Sequence, residues 1–461
     1  MNVLATYLLA GAAGANKGMP YKLWVLSSSP SSVTIGPNDS IIATFNYSAS
    51  PFTSQRNAVV ARLNSSTDTI EWCNRYAVNH SFNQNQSTYF GNINYNSSTN
   101  KLWVGATSTT LVTLNPSNGN VINSPSPNFY SYNQSLSPFT SDGTIFYATD
   151  SQGTTFSNYK LTPGSSTNTA TVNWYSTWSN IGSNMSQSGY TTRNFGTVMA
   201  SNNKLFTLLD VYRSVNDNTE QNATAVIATN SDGSSGNFWT FSSGYASNNI
   251  NEPFGGIFTD YSGNIYISKG FAARNGSYPN RRLVSYNSSM GHRYTYYPSL
   301  PGKVSSGNPN LSVSVLGSDS SNNLYLGITQ SSAGGSNYSF LRIAKVNQSG
   351  TILWQYSSNV TINSVIVHPT NSNIIVLVFS NGRIMVQKPS GLITGTWGSI
   401  TIAQTSDLSL VSDSEYWPAN LNSGNSNINM SHSSQSTPSA SIITVNTSGE
   451  SLSVSSSTTI A

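Results

Sequence analysis

The chain has 461 residues, beyond the ~250–300 at which one hydrophobic core stops growing, so it needs several domains or a modular architecture. Only 8% of it is Asp, Glu, Lys or Arg, against 84 Ser, 45 Thr and 57 Asn, while 11% is aromatic; that excludes the disordered class and selects strands and turns. A net charge of +4 without a run of basic residues excludes a nucleic-acid partner, and the composition points to a protein bathed in solvent outside a cell.

Residues 1–30 read as an amino-terminal extension. Val3 to Ala15 is an apolar run of 13 residues, too short to span a bilayer and close to the hydrophobic stretch of a signal peptide, although no basic residue precedes it. The sequence YKLWVL after it reads as a strand. From residue 31 a unit recurs in which polar turn residues lead into a short apolar strand: NDSIIATF, TNKLWVGA, SDGTIFYA, NNKLFTLL, SGNIYISK, NNLYLGIT and NSNIIVLV, aligned on Ile42, Leu102, Ile145, Leu205, Ile265, Leu324 and Ile375. A second signature follows each, a strand, an Asn/Gly/Ser turn and another strand that usually ends on an aromatic: Trp72, Ile122, Trp174, Trp239, Tyr294, Trp354 and Trp397. With one more strand upstream, such as SSVTIG or NSVIVHP, each repeat is a four-stranded antiparallel meander. Seven of them with no amphipathic helix between predict an all-β fold, a seven-bladed β-propeller over residues 31–403. The recurring Trp reads as packing between blades rather than as an exposed sugar platform, because a meander cannot bury both faces alone.

Residues 404–461 form a Ser/Asn/Thr-rich carboxy-terminal extension. It ends in two alternating stretches, SIITVNTS and SLSVSSSTT, suited to a terminal hairpin or to strands donated to another sheet edge.

Catalysis needs groups that titrate or coordinate, and these are few. The four histidines, His80, His292, His368 and His432, form no metal or hydrolase motif, and the lone Cys73 excludes an internal disulfide and a Cys-based cluster. Asp142, Asp260 and Asp319 fall at hairpin turns, where an Asp bonds its own backbone, with calcium in an oxygen-rich turn as the competing reading. The 17 Asn-x-Ser/Thr sequons are Asn38, Asn46, Asn64, Asn79, Asn85, Asn96, Asn133, Asn184, Asn222, Asn275, Asn287, Asn310, Asn337, Asn347, Asn359, Asn429 and Asn446. Chance predicts about 16, so placement in turns, not number, supports N-linked glycans.

Charge is segregated. Lys269, Arg274, Arg281, Arg282, Arg293 and Lys303 lie between Asp260 and Asp319 with no acid among them, and after Lys388 the only charges are Asp407, Asp413, Glu415 and Glu450. A basic docking patch on the fifth blade and an acidic tail offer three readings: independent solvated surfaces, tail docking within or between molecules, or an anionic glycan held by Arg and Tyr.

The paired signatures, above all RIAKVNQSGTILWQY at 342–356 and LVTLNPSNGNVI, resemble the quinoprotein-type (PQQ-like) propeller repeat over roughly residues 31–403. Enzymes of that family bear a quinone cofactor and a calcium ion held by carboxylates on the propeller axis. The resemblance implies the scaffold; the short repeat names no catalytic residue, cofactor or metal ligand here, and non-catalytic adhesive or assembly propellers are equally similar. The expectation is an extracellular or cell-surface glycosylated structural protein, not an enzyme. It would assemble with copies of itself into a filament or coat through its extensions, without a membrane span. The alternative is a carbohydrate-binding or adhesive propeller that contacts surface polysaccharide, and the third reading is a degenerate quinoprotein-like enzyme.

Overall fold

The computed structural model describes residues 22–26, 28–48, 56–64, 69–78, 88–97, 99–106, 111–123, 125–127, 146–152, 155–163, 170–179, 191–199, 204–212, 223–242, 256–269, 282–300, 310–331, 338–368, 373–412, 431–435, 440–442, 445–449 and 454–459. Among these residues the only helical element is a 3-10 turn, Pro37–Asp39, and the strands gather into seven sheets of four to six strands plus one two-stranded pairing.

Five sheets are consecutive four-stranded meanders, as the repeats predict. The first is Ser32–Ile35, Ile41–Ser48, Arg56–Leu63 and Ile70–Val78; the second Phe90–Asn96, Lys101–Ala106, Leu111–Leu114 and Val121–Asn123. The fourth is Thr191–Met199, Leu205–Tyr212, Ala223–Thr229 and Ser235–Ser242; the fifth Gly256–Thr259, Ile265–Lys269, Arg282–Tyr286 and His292–Ser299. The sixth is Asn310–Ser318, Leu324–Ser331, Tyr338–Val346 and Ile352–Ser358. The third shows Phe146–Gln152, Thr155–Pro163 and Ala170–Ser179, and the last begins with Ile362–Val367, Ile375–Phe379 and Arg383–Gln387. Six of the seven repeat anchors, Ile42, Leu102, Leu205, Ile265, Leu324 and Ile375, are buried at the heads of second strands; Ile145 lies outside the described residues. A second strand is flanked on both sides, which is why Ile375–Phe379 is buried at every residue.

The first strands of neighbouring sheets pack on one another, first on second, fourth on fifth and sixth on last, so they form the inner ring and the fourth strands lie at the periphery. Apolar clusters fill the gaps between sheets. Phe45 and Val59 of the first sheet meet Val376 and Ile384 of the last, and Phe206 and Val226 of the fourth meet Ile265 and Val284 of the fifth. Each sheet thus buries its faces against its neighbours. The fold is an all-β propeller.

The last sheet departs from the sequence reading. Its fourth strand is not the segment ending at Trp397: Gly395–Trp397 pairs with Ile400–Gln404, which joins the sixth sheet. Two observations give the reason. The Gln387 Oε1 accepts the Ile393 N–H, turning the chain away after Arg383–Gln387. Lys22–Leu26 takes the vacant place, with Leu23 opposite Met385 and Trp24 opposite Ile384, and it buries Trp24 completely where Trp397 is only partly buried. The ring is therefore closed by chain from both ends.

Candidate functional site

The outer strand of a sheet presents a row of unpaired N–H and C=O groups, and proteins usually protect it with Lys, Pro or a covering segment. This chain has few charges to spend. Its carboxy-terminal segment supplies the cover, adding a further antiparallel strand to the fourth strand of five sheets.

Ile400–Gln404 pairs with Ile352–Ser358 of the sixth sheet, and Ser409–Ser412 with His292–Ser299 of the fifth. Ser431–Gln435 pairs with Ala170–Ser179 of the third, and Ala440–Ile442 with Pro125–Pro127, just beyond the second. Val445–Gly449 then pairs with Ile70–Val78 of the first, and Val454–Thr459 with Lys22–Leu26 of the last. The tail therefore runs round the periphery against the chain order, from the sixth sheet down to the first and on to the last. Among the described residues, the second and fourth sheets receive no such strand.

The start of this belt is fixed by side chains. Buried Gln355 brackets Leu408, its Nε2 donating to the Leu408 carbonyl at 3.0 Å and its Oε1 accepting the Leu408 N–H at 2.8 Å. Asn359 does the same a few residues earlier, with Nδ2 on the Ser399 carbonyl and Oδ1 on the Thr401 N–H. Leu408 packs into the cluster between the fifth and sixth sheets, and the Arg342 guanidinium forks onto Asp407 through Nε and Nη2.

A second recurring device locks sheet to sheet. The Trp72 indole donates to the Pro116 carbonyl of the second sheet, Trp174 to Ser231 of the fourth, and Trp354 to Pro389 of the last, at 3.0, 2.9 and 3.0 Å. In the fifth sheet Tyr296 does this work, its hydroxyl donating to the Ser349 carbonyl. That residue is two positions past the expected Tyr294, on the same strand face and with its ring tilted against that of Tyr294. In two of these locks a cation opposite the Trp in strand register donates to the same carbonyl, Arg62 to Pro116 and Lys345 to Pro389. The Lys/Arg and Trp of the sequence signature thus converge on one oxygen. The turn receiving the ring needs glycine: a Cβ on Gly119, Gly233 or Gly350 would stand 2.4–2.6 Å from the side chain of Trp72 or its neighbour Asn74, from Trp174, or from Tyr296, and all three glycines have positive φ.

The remaining sequence candidates are placed as follows. Asp260 accepts the N–H groups of Ser262 and Asn264 and the Tyr266 hydroxyl; Asp319 accepts those of Ser321 and Asn323 and pairs with Lys345 Nζ at 2.9 Å. Burial pushes the Asp319 carboxyl up, but Lys345 and Asn323 together hold it below its ordinary value. With these oxygens committed, and no cluster of three His, Cys, Asp or Glu among the described residues, the described carboxylates do not fit an axial calcium and quinone. Asp142 lies outside the described residues.

Of the basic patch, Lys269 and Arg282 are paired in backbone register on neighbouring strands, and Arg293 is tied to the Tyr266 and Ser285 hydroxyls and to Gln348. Arg274, Arg281 and Lys303 lie outside the described residues, as do Asp413, Glu415 and Glu450. The tail does cross the fifth sheet, by backbone pairing at Ser409–Ser412, while Asp407 meets Arg342 of the sixth. His368 bonds Asp39 across the closure of the ring, and Cys73 is buried in its strand. The side chains of Asn38, Asn46, Asn64, Asn96, Asn287, Asn347 and Asn359 are described, and Asn310 and Asn446 are placed in strands. The other sequons, Asn79, Asn85, Asn133, Asn184, Asn222, Asn275, Asn337 and Asn429, lie outside. What the sequence reading missed is the belt, whose only sequence signals were the two alternating stretches near the end.

No protein-family model and no curated protein matches the chain. Solved structures similar to it are propeller-containing proteins. BamB from Moraxella catarrhalis is 12% identical over 77% of this chain and 84% of its own, with a TM-score of 0.40. The Cps50 (Swd1) beta-propeller domain of Myceliophteria thermophila is 9% identical over 80% and 99%, with a TM-score of 0.46. The mitotic checkpoint complex contains a chain 11% identical over 84% and 100%, with a TM-score of 0.37. At these values the likeness says nothing about function. Among the described residues, no helix is long and apolar enough to cross a membrane.

Proposed function

We propose that this chain is an extracellular, glycosylated structural protein that assembles with copies of itself into a filament or cell-surface coat through its terminal extensions. The observation that carries the reading is the belt. The tail is a series of strands whose partners are the outer edges of sheets, and edge pairing works equally well when the edge belongs to another copy. A tail that leaves its own periphery for a neighbour's makes a heterologous contact, and repetition of that contact builds an open polymer. The carbohydrate-platform alternative is weakened because Trp72, Trp174 and Trp354 spend their indole N–H groups on neighbouring sheets. We also read the repeats as quinoprotein-type in structure without its chemistry. Support comes from the cation and Trp that converge on one carbonyl of the next sheet, the same two residues that carry the sequence signature.

Negative-stain microscopy of native material tests the reading, beside a variant truncated after Ser412. The full chain is expected as filaments or sheets and the truncated chain as separate discs. Native material that shows only discs, and loses its tail to protease without any change in association, overturns it.

A further inference from the structure

Resting on the glycoprotein part of that reading, we infer that Asn287 and Asn347 are N-glycan carriers, and that Asn46, Asn96 and Asn359, sequons on the same chain, stay unmodified. Attachment replaces one Nδ2 hydrogen. The Asn Nδ2 forms a bond to the anomeric carbon of a glycosyl diphosphate, the carbon–oxygen bond to the diphosphate breaks with its electron pair leaving on that oxygen, and Nδ2 gives up a proton. The folded chain can wear the product only where Nδ2 is uncommitted and aimed at water.

Asn287 and Asn347 hold the same position in neighbouring sheets, the first residue of the hairpin joining the third and fourth strands. Each closes the turn by backbone pairing, Asn287 with Gly291 and Asn347 with Thr351. In both, Oδ1 faces inward: it accepts the N–H groups of Ser289 and Gly291 in one, and those of Ser349 and Thr351 in the other. The Asn287 nitrogen lies over Gly291, 2.7 Å from where a Cβ would stand, so the glycine leaves room beside it. The Asn287 and Asn347 Nδ2 atoms make no hydrogen bond to the described residues; Ser289 and Ser349 of the sequons are exposed, and the Ser349 hydroxyl bonds the Asn347 Oδ1.

The contrast sites fail on the same criteria. Asn46 spends both Nδ2 hydrogens, on Ser31 Oγ and the Phe90 carbonyl, and its Oδ1 takes the Phe90 N–H, which ties the first sheet to the second. Asn96 is 7% exposed and caps the turn at Thr99. Asn359 clasps the belt at Ser399 and Thr401. Sugar is thereby kept to hairpin tips on one rim of the propeller, clear of the outer edges on which the tail pairs.

The test is peptide mass spectrometry on full-length protein from its native source, with Ser289→Ala and Ser349→Ala variants made in the same host. These variants remove the sequons and keep the Asn-capped turns. Glycan at Asn287 and Asn347, lost one site at a time in the two variants, with Asn46, Asn96 and Asn359 bare, is the expected result. Glycan on any of those three, or glycan elsewhere with Asn287 and Asn347 bare, overturns the inference while leaving a glycoprotein. A chain bare at all sequons overturns both the inference and the glycoprotein reading, and microscopy still decides the assembly.

Discussion

At the scale of single residues, stability rests on a few repeated contacts whose loss is separable. Gly350 combines a φ of +82° with a Cβ position 2.4 Å from the Tyr296 ring, whereas Gly382 has φ +79° with nothing nearer than 3.3 Å. Gly382→Ala therefore pays chiefly backbone strain, about 1 kcal/mol, beside one tight contact with the Ser28 carbonyl, while Gly350→Ala adds a clash with a ring held from the next sheet and is expected to cost about 2–4 kcal/mol. Thermal melting of the two variants checks the order; equal losses would show that Tyr296 simply moves aside. Asp319 gives a prediction in pH. Its folded pKa is lowered, with burial opposing and Lys345 and Asn323 prevailing, so its contribution is complete above the ordinary carboxylate range and fades as pH falls through the lower folded value. Asp319→Asn keeps the turn acceptor and loses the ion pair. It is expected to be less stable than the parent at pH 7 and to converge with it in acid, as the pH drops below the ordinary carboxylate range and through the lower folded value. A gap that stays constant across denaturation curves from pH 7 to pH 2 would rule out the ion pair as its source.

At the scale of elements, the latch that holds the start of the tail is one buried Gln. Gln355→Ala leaves the Leu408 N–H and carbonyl without their partner in a buried place, at about 1–3 kcal/mol for each group left unsatisfied. The penalty falls on local opening of the tail and not on the sheets. Limited proteolysis should release the tail several-fold faster from Gln355→Ala while the propeller stays intact, and a release rate matching the parent's would assign the hold to the strand pairing instead. The same elements show what a sequence can carry. The second strands were legible because Ile42, Leu205 or Ile375 is apolar for a local reason, burial on both flanks, and a turn residue precedes each. The Asx-capped hairpins at Asp260 and Asp319 were legible because that bonding is contained within five residues. Pairings made at long range were not. Lys22–Leu26 reads as a strand on its own, but its partner Arg383–Gln387 lies more than 350 residues on. Nothing in Ser409–Ser412 says which edge it will meet, since backbone pairing is indifferent to side-chain identity. The glycan candidates split for a related reason: Asn46 and Asn287 share a sequon, and only the fold tells which carboxamide nitrogen is already engaged.

At the scale of the whole molecule, scarce charge and the belt are two sides of one design. A surface with 20 Lys and Arg in 461 residues cannot guard its peripheral edges by charge, so it guards them by pairing, and in the assembly proposed above the segment that protects the subunit would also join subunits. Whether a belt is worn by its own chain or by the next is decided by a covalent trap. Backbone register sets Arg75 in the outer strand of the first sheet opposite Ser448 of the tail, within the ~5.5 Å Cα separation that suits a disulfide. In a Cys73→Ala background, Arg75→Cys with Ser448→Cys is expected to give an internal link in isolated subunits and a ladder of covalent multimers in the assembled fraction. The internal link shortens the path of the denatured chain and speeds its migration on a gel; the intermolecular link multiplies its mass, so the two are read apart in one lane. Assembled material holding only internal links would mean that the belt stays on its own propeller, and that whatever joins the subunits is a surface other than the tail.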